Sequence, residues 1–329
     1  MITHNSGIES ILIQEPNSLR LYQETNFLDN HLVLSSMTKE GSVVESSYCL
    51  GYGRRKYIFT LSSQIGCPLR CNFCETADLP YNRNLTSQEI LDQALIVAKR
   101  TYANGFTIEN KPLKIAFVEV GEPLLNEQLI DGIRMIDNIF DCSLKISTIF
   151  PRHQTAYANL NRVIEYTKKR TDETQIQLSL HSSDEIYRRS IVKFPLASFD
   201  EIGLFGKEWH EKAHSKRKIT LTFTLAENAP CRPRDIVKTL SPKYFAVRLR
   251  NMLSTETSRT GNIKAMSREN INCLEQRFAE CGYYIIPGET GDIETEFNLS
   301  PGALTKMVKR GQSIVLPPDW EQRIRGHKH

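Results

Sequence analysis

Three cysteines dominate the chemistry open to this sequence. Cys67, Cys71 and Cys74 stand as CxxxCxxC within SSQIGCPLRCNFCETADLPYNRNL, near enough to share one loop, with no fourth cysteine beside them. A closed structural zinc site asks for four ligands and would have to borrow a distant Cys or His. An iron-sulfur cubane held by three cysteines instead leaves one iron open to an exogenous ligand. A three-cysteine zinc site and incidental thiols are the competing readings, and context has to choose among them. It favours the cluster. A predicted strand runs into the loop, and Phe73 precedes the last cysteine, where an aromatic ring can shield a cluster or pack on a cofactor.

The elements that must position this loop are legible as alternating patterns. Predicted strands are YIFTLSS from Tyr57, KIAFVEV from Lys114, LKISTIF from Leu144, QIQLSL from Gln175, KITLTFTL from Lys218 and YFAVRL from Tyr244, with YYII from Tyr283 a candidate seventh. Helical patterns include Ser87 to Tyr102, Glu127 to Phe140, Gln154 to Lys169, Asp200 to His210 and Arg268 to Cys281, the first opened by Thr86, Ser87 and Glu89 as a cap. Strand alternating with helix argues for parallel strands and right-handed crossovers, with ligands at the carboxyl ends of the strands. The first 56 residues differ: a short helix is expected, then an antiparallel pair, His31 to Met37 and Ser42 to Leu50, about the turn Thr38-Lys39-Glu40-Gly41.

Composition narrows the classes. The 329 residues are 40% hydrophobic and 24% charged, and 42 Lys+Arg against 38 Asp+Glu leave a net charge of +4. The densest basic cluster, His214, Lys216, Arg217 and Lys218, is short, so composition does not announce a nucleic-acid binder. Eight cysteines in an intracellular chain of this size point to a metal or redox site rather than a disulfide framework. No run approaches the ~18 apolar residues of a membrane span, and the start lacks a leader pattern, so no membrane association and a cytoplasmic location are expected.

The cysteine motif with its aromatic resembles the radical S-adenosylmethionine (SAM) superfamily. The resemblance implies a [4Fe-4S] cluster on Cys67, Cys71 and Cys74, with SAM on the open iron. It implies reduction by a one-electron donor such as flavodoxin or ferredoxin, and release of a 5′-deoxyadenosyl radical that takes hydrogen from the substrate. The cysteine block, NRNL at Asn82 to Leu85, VEVGEPLLN at Val118 to Asn126, IST at Ile146 to Thr148 and LSLHSSDEIYRRSIV at Leu178 to Val192 are together similar to the RlmN/Cfr type. That type methylates adenine carbon-2 or carbon-8 in ribosomal RNA, and the likeness runs from about Val43 to about Glu294. It implies Gly121 and Glu122 at the methionyl end of SAM, Ser147 at its ribose or carboxylate, and Ser179, Leu180 and His181 on the adenosine side. Asn251, in VRLRNML, is a looser candidate for a SAM contact. Plainer alternatives stand beside these: Glu122 as a helix cap before a proline, Ser147 satisfying a strand-end amide, His181 as a hydrogen-bonded strand-end histidine.

Two departures matter. The methylating relatives need a methyl-carrying cysteine near the C-terminus and a second one seven residues before the first cluster cysteine. Here Gly291-Asp292-Ile293-Glu294-Thr295-Glu296-Phe297 puts Phe297 at the first place, and Thr60 stands at the second. Neither replaces a thiolate, so methyl transfer by the methylcysteine route is not expected, and both residues are read as reshaping the cavity. Cys49, Cys142, Cys231, Cys273 and Cys281 read as structural, Cys142 and Cys273 as small buried apolar residues. Glu45, in VESSY, matches a glutamate of the family regarded as a proton acceptor, with a solvated hairpin carboxylate as the alternative. Fewer residues precede the hairpin than in the relatives, which carry a longer helical N-terminal domain. That weakens a large RNA substrate, although Lys111, Lys114, Lys168, Lys169 and Arg170, with Lys309, Arg310, Arg323 and Arg325, are candidates for a surface patch.

The expectation is therefore an α/β protein: a partial (β/α)6 radical SAM barrel over 57–290, a short helix and hairpin extension over 1–56, and a tail over 291–329. Its expected activity is hydrogen abstraction from a small molecule, such as a nucleoside or nucleotide. RNA modification by altered chemistry, and a non-catalytic zinc or scaffold role, are the alternatives.

Overall fold

A computed structural model of the chain describes residues 13–27, 31–50, 56–105, 112–170, 174–215, 217–288 and 299–320. Chain order gives β1 (Leu19–Phe27), β2 (His31–Thr38), β3 (Val43–Leu50), β4 (Tyr57–Leu61), the short β5 (Gln64–Ile65) and β6 (Arg83–Asn84), then β7 (Leu113–Phe117), β8 (Cys142–Thr148), β9 (Thr174–Ser179), β10 (Ile219–Leu225) and β11 (Phe245–Asn251). Nine of these form one open sheet in the order β1-β2-β3-β4-β7-β8-β9-β10-β11, while β5 and β6 pair separately. All six predicted parallel strands are present and run parallel from β4 to β11. This is the expected mixed α/β fold with a mostly parallel sheet, and the sheet does not close into a barrel.

The strands form where apolar side chains alternate, and that alternation sorts the sheet into two faces. Ile115 and Phe117, Leu144 and Ile146, Ile176 and Leu178, and Leu221 and Phe223 all enter one buried core beneath the helices. The expected helices form as Ser87–Ala103, Leu129–Asp137, Gln154–Thr167, Phe199–Lys212 and Arg268–Glu280. Thr86 and Glu89 make the anticipated reciprocal cap. Among the described residues, four short helices escaped the sequence reading, Glu185–Ile191, Pro233–Ile236, Glu256–Thr260 and Ala303–Lys309, because four to seven residues carry too little periodicity to be seen.

Other expectations need correction. YYII is not a strand: it contributes one isolated bridge, Val247 to Ile285. The segment before the hairpin is itself a strand, β1, antiparallel to β2. Its sequence LRLYQETNF buries only its two ends, which removed the apolar alternation that would have revealed it. Residues 1–12, at the start of the segment where the leading helix was expected, lie outside the described residues. Among the described residues, no helix is long and apolar enough to cross a membrane.

Candidate active site

The cysteine loop is a closed excursion. Pairing of Gln64 with Asn84 and Ile65 with Arg83 pins its base. At Gly66 the backbone turns with φ +74°, and a Cβ there would lie 2.2 Å from the Pro80 carbonyl oxygen, so only glycine fits. Two bonds tie the loop to the Glu185–Ile191 region: Asn72 N donates to Ile191 O at 2.9 Å, and Lys193 N to Leu69 O at 2.9 Å. Cys67, Cys71 and Phe73 then pack on Leu69, Ile149, Ile191, Val192 and Leu196. Burial pushes the Cys67, Cys71 and Cys74 thiols up, and for Cys67 and Cys71 the neighbouring cysteines and Glu122 add to it. Such thiols ionise when a metal supplies the compensating charge.

Among the described residues, no three His, Cys, Asp or Glu side chains converge as ligands of a single metal ion. The three thiols share one loop, and a cubane cluster would take one of them on each of three irons.

Glu122 is fully buried, and its carboxylate accepts from Leu124 N at 3.1 Å and Ile149 N at 3.0 Å. It therefore does cap the turn after β7, and it also ties that turn to the end of β8. Burial raises its pKa to about 7. Gly121, at φ +110°, brings the backbone against Ser63 and Gln64, where a Cβ would come within 2.8 Å of the Gln64 amide nitrogen. Ser147 Oγ accepts from Gln177 Nε2 at 3.1 Å. Ser179 is half-buried at the end of β9, and Leu180 N donates to Thr222 O at 2.8 Å. His181 is buried with φ +62°, and its Nδ1 accepts from Thr224 N at 3.3 Å. Its ring meets Phe73 edge-on with centroids 4.8 Å apart, which joins the cysteine loop to the end of β9. Burial, with Arg188 nearby, lowers its pKa to about 4, so the ring is neutral at pH 7.

A cleft of about 270 Å³ opens at the carboxyl ends of the strands, and Phe73, Cys74, Thr60, Glu45 and Asn251 all line it. Gly121, Glu122, Ser147, Ser179, Leu180 and His181 lie off its walls. Thr60 is not isolated: its hydroxyl donates to Glu119 and shares a 2.6 Å bond with Ser47 Oγ. The far wall comes from the C-terminal part of the chain, where Leu299, Ser300, Pro301 and Leu304 complete the lining. Glu45 fixes that wall. Its carboxylate accepts from Gly302 N at 3.0 Å and from Thr305 N and Oγ1 at 2.6 Å each, at the start of the Ala303–Lys309 helix. Glu45 is thus a buried cap rather than a solvated hairpin carboxylate, and burial raises its pKa. Lys306 locks the same helix onto the cysteine loop, bonding Glu75, Asp78 at 2.6 Å and Thr257 at 3.2 Å. Phe297 lies outside the described residues.

Several residues were missed. Glu119 and Arg250 are cleft residues at strand ends, and the position just after or at the close of each apolar run was the signal that could have found them. Buried Arg188 braces two strand ends, donating to Leu180 O at 3.2 Å and Ile149 O at 3.4 Å; nothing in the sequence distinguishes it from Arg189. Cys49, read as structural, lines the cleft, and Cys273, read as buried, is exposed. The basic surface patch also fails at Lys114, which is buried on the inner face of β7, while Arg170 pairs with Asp137 at 2.6 Å.

No family model matches the chain. A probable dual-specificity RNA methyltransferase RlmN of Thermus thermophilus is 31% identical over 192 residues, 56% of this chain and 50% of that protein. The dual-specificity RNA methyltransferase RlmN of Saccharophagus degradans is 26% identical over 285 residues, 83% of this chain and 68% of its own. A radical SAM methyltransferase from Sphaerobacter thermophilus has the same fold, with TM-score 0.69, 19% identity, and cover of 92% of this chain and 85% of that one. The chain is thus similar in sequence to RlmN-type RNA methyltransferases and shares the fold of a radical SAM methyltransferase. It spans about half the length of the Thermus thermophilus relative. Phe73 and His181 bring the cysteine loop against the end of β9, and Glu122 lies near Cys67 and Cys71.

Proposed function

We propose that this chain is a radical SAM enzyme that abstracts hydrogen from a small substrate held in the cleft, without a methylcysteine intermediate. The observation that carries the reading is the cleft itself, with Phe73 and Cys74 on one wall and the Thr60 hydroxyl, engaged by Glu119 and Ser47, on another. A [4Fe-4S] cluster on Cys67, Cys71 and Cys74, with SAM bound to it, would supply a 5′-deoxyadenosyl radical after one electron from a flavodoxin- or ferredoxin-type donor. The chain's own residues do the rest. Glu122 and Arg188 hold the backbone of Ile149 and neighbouring strand ends in fixed positions. Phe73 and His181 form an apolar, uncharged wall suited to an adenine face. Glu45 and Lys306 seat the wall that shields the cleft from water. Thr60 has no thiol to offer, and its hydroxyl is already hydrogen-bonded. The need for reduced flavodoxin or ferredoxin goes with a cytoplasmic enzyme.

Anaerobic reconstitution with iron and sulfide, followed by SAM and dithionite, is the decisive experiment. Broad charge-transfer absorption and 5′-deoxyadenosine are expected, and Cys67→Ala, Cys71→Ala or Cys74→Ala should each lose both. Absence of both signals from the unaltered protein would leave a zinc or scaffold role. The second reading, RNA modification, takes its support from the names of the relatives and from the Cys49 thiol in the cleft. Steeply salt-dependent binding of ribosomal RNA fragments would favour it.

A further inference from the structure

The inner face of the sheet, opposite the helices, holds cations that the proposed reaction leaves unused. Lys114 Nζ donates to Gln175 Oε1 at 3.1 Å, Gln175 Nε2 to Thr220 Oγ1 at 3.3 Å, and Gln177 Nε2 to Ser147 Oγ at 3.1 Å. Those bonds define one polar face across β7 to β10. Lys145 shares it, two residues before Ser147 on β8, and Arg248 joins it opposite Thr222 across the β10–β11 pair. Lys56, just before β4, reaches Lys114. The principal charged neighbours of Lys56, Lys114, Lys145 and Arg248 are one another, with Arg217 and Arg250. Among the described residues, none of those four makes an ion pair with a carboxylate.

Lys114 is buried and Lys56, Lys145 and Arg248 are half-buried; cations grouped in this way repel one another and lose hydration, and either give up protons or are compensated by an anion. The strain is visible in two of them: burial and neighbouring cations push Lys114 down to about 7 and Lys145 well below the ordinary lysine range. A second observation is independent of charge. Three buried polar atoms on this same face lack any partner: Thr222 Oγ1, Arg248 Nε and Gln177 Oε1. Thr222 and Gln177 are 3% and 5% exposed, so bulk water is a poor substitute. Two of these atoms are donors suited to an anion's oxygens, and the third accepts from a hydroxyl. One step further along β10 and β11, Thr224 and Arg250 already line the cleft beside Cys74, so the polar face leads into it.

We propose that Lys56, Lys114, Lys145, Arg248 and Thr222 bind the phosphate of a small hydroxylated phosphomonoester, whose other end extends into the cleft. This deepens the radical SAM reading by naming its substrate class and rests on it for that purpose; the phosphate site itself does not. A monoester carries about two negative charges near neutral pH, which suits several cations better than the single charge of each phosphodiester in an RNA chain. A terminal phosphate also needs only one way in, whereas a continuous strand would need a second exit through the sheet.

The test uses the full-length chain, with and without reconstituted cluster, and reads inorganic phosphate and adenosine 5′-monophosphate by calorimetry and thermal unfolding. Both are expected to raise the melting temperature above chloride at equal ionic strength, with adenosine alone inert. Lys145→Met and Arg248→Met should each weaken phosphate binding at least tenfold. Lys145→Met should melt at or above the wild-type temperature without phosphate, because it removes a repelled charge, and Lys145→Arg should retain binding. The proposal fails if phosphate acts like chloride, if Lys145→Met binds phosphate as wild type does, or if Lys145→Met simply unfolds. It also fails if an RNA oligonucleotide without terminal phosphate binds as well as the monophosphate. Loss of phosphate binding with 5′-deoxyadenosine formation intact would remove this site alone. Phosphate binding without 5′-deoxyadenosine would uphold the site and remove the radical reading.

Discussion

The two faces of β10 divide its labour residue by residue. Ile219, Leu221, Phe223 and Leu225 point into the apolar core, whereas Thr220, Thr222 and Thr224 point to the inner side, where Thr222 lacks a partner and Thr224 lines the cleft. β8 repeats the division, with Leu144 and Ile146 outward and Lys145 and Ser147 inward. Parallel strands covered on both faces ordinarily read as continuous apolar runs. Alternation in a parallel strand therefore marks a second face that is polar rather than apolar core. The outer face carries the apolar core, and the inner face leads to the cleft rim.

That division predicts its own largest effect. Phe223→Ala opens a cavity in a fully buried position beneath Phe278, whose ring centroid lies 5.4 Å away. The expected cost is about 3–5 kcal/mol, read by guanidinium denaturation. Thr222→Ala, one residue away on the inner face, removes a single methyl and a hydroxyl without a partner, and should cost about 1 kcal/mol. Equal losses at the two sites would break the comparison, because the inner face would then be packed core.

A middle effect lies where the rim is built from distant chain. Lys306, 8% exposed, joins the last described helix to Glu75 on the cysteine loop. Lys306→Met leaves Glu75 buried without its cation, at a cost of about 3 kcal/mol. The loss should be local, so amide exchange should accelerate over 302–309 and 75–78 while the amides of β8 to β10 stay protected. Uniform acceleration across the sheet would mean that the wall is part of the fold rather than an addition to its rim.

The outer face was legible because apolar periodicity is a local signal: all six parallel strands and the five longer helices come from it. The cysteine loop was equally legible, since its spacing is local too. What stayed hidden depends on partners far away in sequence. Glu45 read as a hairpin carboxylate because its donors, Gly302 and Thr305, lie 257 and 260 residues further on. Lys114 read as surface charge because the cations that repel it, Lys56, Arg217 and Arg248, lie far from it in sequence, just before β4, just before β10 and on β11. Cys49 read as structural because nothing local says that β3 forms a wall of the cleft. Phe73 and His181 were each proposed for cofactor contact, but their meeting, which joins the loop to the sheet, depends on the fold alone.

His181 sits on the boundary between the two faces and gives the smallest effect. Its pKa is lowered to about 4 from the usual 6.5, so between those values the folded chain binds fewer protons than the unfolded chain. Stability from this residue is therefore complete above pH 6.5 and is lost as pH falls through that window, by about 2 kcal/mol between pH 7 and pH 5. Many carboxylates titrate nearby, so the quantity to measure is the difference between wild type and His181→Asn in denaturation midpoints at the two pH values. Asparagine tolerates the left-handed backbone at φ +62° and offers an oxygen to the Thr224 amide; it also loses the ring contact with Phe73, a loss that is the same at both pH values and cancels in the difference. The variant should lose that part of the acid sensitivity. If the two proteins weaken in parallel, His181 takes up its proton as readily in the folded chain as in the unfolded one, and burial does not hold the ring beside Phe73 neutral in mild acid.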